Sequence, residues 1–143
     1  MANYNKTVLA NGLRIITVPI KESLATTFLV LVEAGSKYET KDINGLSHFL
    51  EHMCFKGTAK RPKAIDISKE LDSLGAEYNA FTSHEYTGYY AKVESHKLDK
   101  ALAVVTDIYM NPVLNAREIE KEKGVIIEEL NMYEDLPNRK IHD

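Results

Sequence analysis

Apolar residues along the chain switch between a two-residue and a three-to-four-residue spacing, and the switches mark out the elements. Residues 7–10 and 13–20 flank Asn11-Gly12. That dipeptide supplies the positive φ of a two-residue hairpin turn, so the pair reads as a hairpin. The run over 25–34, with Thr-Thr-Phe-Leu-Val-Leu-Val at its heart, is β-branched and almost unbroken in hydrophobicity. Such a run suits a central strand covered on both faces. A helix is predicted over 44–56, with Leu46, Phe49, Leu50 and Met53 as its apolar stripe and Gly57 beyond its end. A second is predicted over 63–74, after Pro62, with Ile65, Ile67, Leu71 and Leu74 inward and Gly75 as its stop. Aromatic residues and Thr then concentrate in 77–83 and 86–93 around His84-Glu85, which predicts a second hairpin. Leu98, Ala101, Leu102, Val105 and Ile108 define a helix over 97–110, ended by Asn111-Pro112. A last helix opens with Asn115 as N-cap and Glu118 in capping-box position and runs to about Glu134. The order βββ, αα, ββ, αα predicts an α+β fold: a mixed or antiparallel sheet with helices packed mainly on one face.

Composition narrows the function. The 143 residues suit one domain over 1–143, and 44% hydrophobic with 27% charged residues excludes collagen-like, coiled-coil and disordered chains. Eighteen basic against twenty-one acidic residues, with no Lys/Arg block, leave no footprint for nucleic acid or an anionic membrane. Cys54 is the lone cysteine and forms no intramolecular disulfide. The start, Met-Ala-Asn-Tyr-Asn-Lys, has no apolar signal core, and no stretch approaches the roughly 18 apolar residues of a membrane span. These features lead us to expect a cytoplasmic location.

The candidate chemistry lies in the first predicted helix, His48-Phe49-Leu50-Glu51-His52. Residues four apart stand one above the other on a helix, so both imidazoles can converge on one ion with Glu51 near the same edge. A catalytic zinc needs three protein ligands, an open position for water and a carboxylate to take that water's proton. Glu51 has the right place for the last role, and the order is that of the inverzincins. The last helix offers Glu118, Glu120, Glu122, Glu128, Glu129 and Glu134 for the third ligand. Glu122 and Glu129 lie two turns apart on one face, which would turn to the metal while Ile119, Ile126, Leu130 and Tyr133 pack elsewhere. Spacing does not choose between Glu128 and Glu129. His84, His96 and His142 read as solvated, and Cys54 should point away from the ion. Tyr86, Tyr89 and Tyr90 are explained by strand packing as well as by substrate contact.

Residues 45–58, Gly-Leu-Ser-His-Phe-Leu-Glu-His-Met-Cys-Phe-Lys-Gly-Thr, closely resemble the zinc-helix signature of the pitrilysin and insulysin type metallopeptidases, especially the branch with the mitochondrial processing peptidase. Leu-Ala-Asn-Gly-Leu-Arg over 9–14, Glu-Ala-Gly-Ser over 33–36, Gly-Ala-Glu-Tyr-Asn-Ala-Phe-Thr-Ser over 75–83 and Glu-Lys-Gly-Val-Ile-Ile-Glu-Glu over 122–129 extend the likeness across practically the whole chain. The resemblance implies zinc held by His48, His52 and Glu129, with Glu51 as general base and Glu122 supporting the site. It implies a fold similar to the N-terminal half-domain of the processing peptidase. It also implies that an extended peptide adds to the strand carrying Asn79, Ala80, Phe81 and Thr82.

Members of that family are built from repeated halves, and a partner half commonly supplies an Arg and Tyr pair that grips the substrate. The chain ends at Ile141-His142-Asp143, inside what would be the first half. A second copy or a partner chain is therefore expected to complete the cleft. Two functions follow: a zinc endopeptidase acting on peptides or unfolded polypeptide, or a catalytically silent zinc-binding module.

Overall fold

A computed structural model describes residues 3–134; His142 and the chain's end lie outside the described residues. The elements are β1 (Asn5–Val8), β2 (Arg14–Thr17), β3 (Ala25–Val32), α1 (Leu46–Cys54), α2 (Ala64–Ser73), β4 (Glu77–Thr82), β5 (Thr87–Glu94), α3 (Leu98–Met110) and α4 (Ala116–Glu134). All pairings are antiparallel, in a two-stranded β1-β2 ribbon and a three-stranded sheet of order β3-β5-β4. Phe28 and Val30 of β3, Tyr78 and Ala80 of β4, and Tyr89, Ala91 and Val93 of β5 meet Cys54 of α1, Ile67 and Leu71 of α2, and Ala101, Val104, Val105 and Ile108 of α3. The helices of this core cover one sheet face, as the α+β reading expected. Among the described residues no helix is long and apolar enough to cross a membrane.

The expected central strand is an edge strand. Among the described residues β3 pairs with β5 alone, and its residues alternate between exposed and half-buried, so Leu29 and Leu31 face outward. The centre belongs to β5, whose Thr87, Gly88 and Tyr89 are buried. Gly88 leaves room for the Phe81 ring, which crosses its position on the outer face: a Cβ there would lie 2.3 Å from that ring. Hydrophobicity marks a strand, but it does not say how many neighbours the strand has.

The first hairpin is also wider than expected. Leu9 N–H donates to the Leu13 carbonyl and Gly12 N–H to the Leu9 carbonyl, both at 2.9 Å, so three residues form the connection. Only Gly12 takes a positive φ, 86°, and Asn11 instead accepts the Leu13 amide on its side chain. The second hairpin turns at His84-Glu85 as predicted, with Ser83 N–H donating to the Tyr86 carbonyl at 2.9 Å.

Three helical stripes rotate from their sequence positions. Leu46 and Leu50 are exposed while Met53 and Cys54 are buried. Ile65 is exposed ahead of buried Ile67 and Leu71, and Leu102 gives way to Val104. At α4, Asn115 does cap, accepting the Arg117 amide at 2.9 Å, but Glu118 pairs with Lys121 instead of closing a box.

Candidate metal centre

α1 begins where a carboxylate six residues away takes its free amides. Gly45, at φ 87°, and Ser47 donate their N–H groups to Glu39 at 2.6 and 2.7 Å. A negative group is well placed at the positive end of a helix dipole. Burial works against the Glu39 charge, but the bonds from Ser47 and Gly45 prevail and lower its pKa. Past the helix, Gly57 adopts φ 141° and its carbonyl accepts the Val113 amide at 2.9 Å, which ties the entry to α4 against the end of α1.

α4 consequently crosses α1 with one stripe inward. Glu122 is buried, and Ile119, Ile126, Glu129 and Tyr133 are half-buried, while Val125, Ile127 and Leu130 are exposed. This corrects the expectation that the isoleucines and Tyr133 would pack away from the acidic pair: 119, 122, 126, 129 and 133 follow the three-and-four spacing of a single helix face. The apolar members shield the acidic ones, and Glu122 is left only 3% exposed.

Three expected ligands meet. His48 Nε2 and His52 Nε2 lie 3.1 Å apart, and Glu129 Oε2 lies 3.7 Å from the first and 3.5 Å from the second. Donors about 2.0–2.2 Å from a tetrahedral zinc would stand roughly 3.3 Å from one another, so this triangle fits one face of such an ion. Among the described residues these three form the one group of histidine, cysteine or acidic side chains spaced for a metal. Glu129 Oε1 accepts the Tyr133 hydroxyl at 2.7 Å, leaving Oε2 toward the imidazoles. Glu128 is exposed and takes no part.

Behind His52 runs a relay. Its Nδ1 lies 2.8 Å from Glu122 Oε1, and Glu122 Oε2 accepts Lys56 Nζ at 2.5 Å. An Nδ1–H held by a carboxylate fixes the tautomer that presents an unprotonated Nε2 to a metal. Burial raises the Glu122 pKa, but hydrogen bonds from Lys56 and His52 outweigh it and hold the group ionised.

Glu51 accepts the Thr82 hydroxyl on Oε2 at 2.5 Å. A cleft of about 250 Å³, lined in part by Glu51, His52, Phe55 and Asn79, opens next to it. The four residues expected to meet a peptide divide by strand alternation. Ala80 packs against the core, Thr82 bonds Glu51, and Asn79 and Phe81 are exposed. Among the described residues β4 pairs only with β5, and the Ala80 amide is engaged by the Asn79 side chain at 2.9 Å. Of the remaining candidates, His84 bonds Ser36, His96 sits near Glu94, and Cys54 is buried beside the Tyr89 hydroxyl.

Sequence reasoning passed over Glu39, Lys56 and Tyr133. Lys56 follows His52 by four residues, and Tyr133 follows Glu129 by four, so helical spacing carried both signals. Glu39 lies in a loop and had no local signal.

The match to the family model described as Insulinase (Peptidase family M16) spans residues 14–143, and the chain belongs to this peptidase family. It is 43% identical over 143 residues to an uncharacterized zinc protease of Streptomyces coelicolor, covering 100% of this chain and 31% of that protein. It is 46% identical over 129 residues to the beta subunit of the mitochondrial-processing peptidase of Bos taurus, covering 90% and 26%. A crystal structure of a protease from Helicobacter pylori superposes with a TM-score of 0.90 at 29% identity, covering 97% of this chain and 34% of that one. The chain thus spans about a third or less of the length of these relatives.

Proposed function

We propose that the chain is the metal-bearing part of a zinc endopeptidase that hydrolyses peptides or unfolded polypeptide segments. The observation that carries the reading is the triangle of His48, His52 and Glu129 donor atoms with Glu51 at its side. Zinc bound there would supply Lewis acidity that polarises the attacking water and the scissile carbonyl. Glu51 takes the proton of that water and delivers it to the leaving amine, as a general base and then a general acid. Glu122, braced by Lys56, keeps His52 in its ligand tautomer. The open edge of β4 receives the substrate main chain, with Asn79 and Phe81 as the side chains on its exposed face, and an incoming strand displaces the Asn79 side chain from the Ala80 amide.

The second reading is a silent zinc-binding module. In the first reading a second copy or a partner chain completes the cleft; the relatives named as a beta subunit are consistent with this. Peptide cleavage by the purified chain, abolished in Glu51→Gln while zinc stoichiometry stays near one, is the expected result. Absence of cleavage at every chain concentration, with zinc bound, leaves the module reading. Zinc content of Glu129→Gln tests the third ligand, and unchanged affinity would remove Glu129 from the set.

A further inference from the structure

Glu51 has one hydrogen bond among the described residues, and it comes from the last residue of β4. Thr82 Oγ1 approaches Glu51 Oε2 at 2.5 Å, a short distance typical of a hydroxyl bonded to an anionic oxygen. The next hydroxyl along is itself a donor and does not compete as a proton source for Glu51. Thr87, the register partner of Thr82 on β5, donates its own proton to the Ala34 carbonyl at 2.8 Å and lies 3.5 Å from Thr82 Oγ1. Thr87 is buried and anchored on the central strand. The carboxylate accepts, so the single Thr82 proton points at Glu51.

We infer that Thr82 is a positioning residue for the general base: its hydroxyl fixes Glu51 Oε2 and leaves Oε1 as the oxygen that exchanges protons with water and the leaving group. The inference rests on the peptidase reading. It gives the β4 edge a second task, because the strand that would seat the peptide also holds the base, and both are carried by one short antiparallel hairpin. A neighbouring substrate residue bound along β4 is thereby placed at a constant distance from the Glu51 carboxyl group. Strand alternation puts Thr82, the last residue of β4, on the half-buried face with Tyr78 and Ala80, where its hydroxyl meets Glu51.

The experiment compares Thr82→Val, which keeps the β-branched shape and removes the hydroxyl, with Thr82→Ser, which keeps the hydroxyl. Both are made in the zinc-loaded protein assayed at its full natural length. Thr82→Val is expected to lower kcat roughly ten- to thirtyfold, the effect of one charge-assisted hydrogen bond. KM and zinc affinity should stay within about twofold of the parent, and Thr82→Ser should restore most of kcat. A residue that only ties β4 to α1 would move KM and zinc affinity together with kcat, and that pattern overturns the inference, as does an unchanged kcat in Thr82→Val. A readout independent of turnover is the carboxyl resonance of isotope-labelled glutamate, with the Glu51 signal assigned by its loss in Glu51→Gln. It should shift in Thr82→Val and return in Thr82→Ser. An inactive parent protein with that shift present defeats the peptidase reading and leaves the contact standing; an unmoved resonance defeats the contact itself.

Discussion

Two buried carboxylates, Asp107 on α3 and Glu122 on α4, are each neutralised by a cation from the segment just after His52. Arg61 reaches Asp107 at 2.6 Å and Lys56 reaches Glu122 at 2.5 Å. The networks differ in where they end. Asp107 also accepts Thr58 and Asn111, and Arg61 turns its other nitrogens onto Glu70 at 2.6 and 2.8 Å, so that network closes on itself. The Glu122 network runs on through His52 to Nε2, which faces His48 and Glu129. A buried charge pair therefore does not mark a site by itself. One network clips the loop after α1 to α3, and the other holds His52 with its Nε2 3.1 Å from His48 Nε2 and 3.5 Å from Glu129 Oε2, where a metal fits.

The strongest test of this contrast is Arg61→Ala. It leaves Asp107 buried without its cation and should cost about 3–5 kcal/mol of unfolding free energy, read by urea denaturation. Zinc affinity of the folded fraction should stay unchanged, and a parallel loss of affinity would erase the distinction. Next in size, Lys56→Met should weaken zinc binding about ten- to hundredfold by competition titration, because the support of a ligating histidine is loosened. An affinity equal to that of the parent would make Lys56 a bystander.

Acid loosens the closed network. Asp107 is raised by burial but lowered more by Thr58, Asn111 and Arg61, and Glu70 is lowered by Arg61. Both carboxyls thus titrate below their ordinary values of 3.8 and 4.5. Their contribution to stability is complete above those values and is lost as pH falls through the depressed ones. Acid unfolding of the apoprotein should become shallower in Asp107→Asn, measured by circular dichroism against pH. The smallest effect belongs far from either network. Leu31→Thr on the outward face of β3 should change stability by no more than about 0.5 kcal/mol.

The element order and the histidine pair were legible in the sequence because both are local. Helical spacing alone brings His48 and His52 to one side, whatever else surrounds α1. The fold class followed from alternating blocks of strand and helix pattern. What escaped was everything that depends on a neighbour. The hydrophobic run of β3 resembled a central strand, yet β5 takes that place by pairing with both β3 and β4. Separating the acidic residues of α4 from its isoleucines was reasonable by polarity, yet both occupy the stripe that meets α1.

By itself, then, the sequence pointed to the side chains proposed to carry the chemistry and determined the helical repeat that groups them in pairs. Tertiary structure decided which oxygen of Glu129 faces the imidazoles, which cation holds Glu122, and that Thr82 turns to Glu51 while Asn79 and Phe81 stay outside. The physical reason is range. Backbone periodicity acts over one or two turns, whereas a hydrogen bond between residues 31 or 70 positions apart exists only after the sheet and the helices have closed on one another.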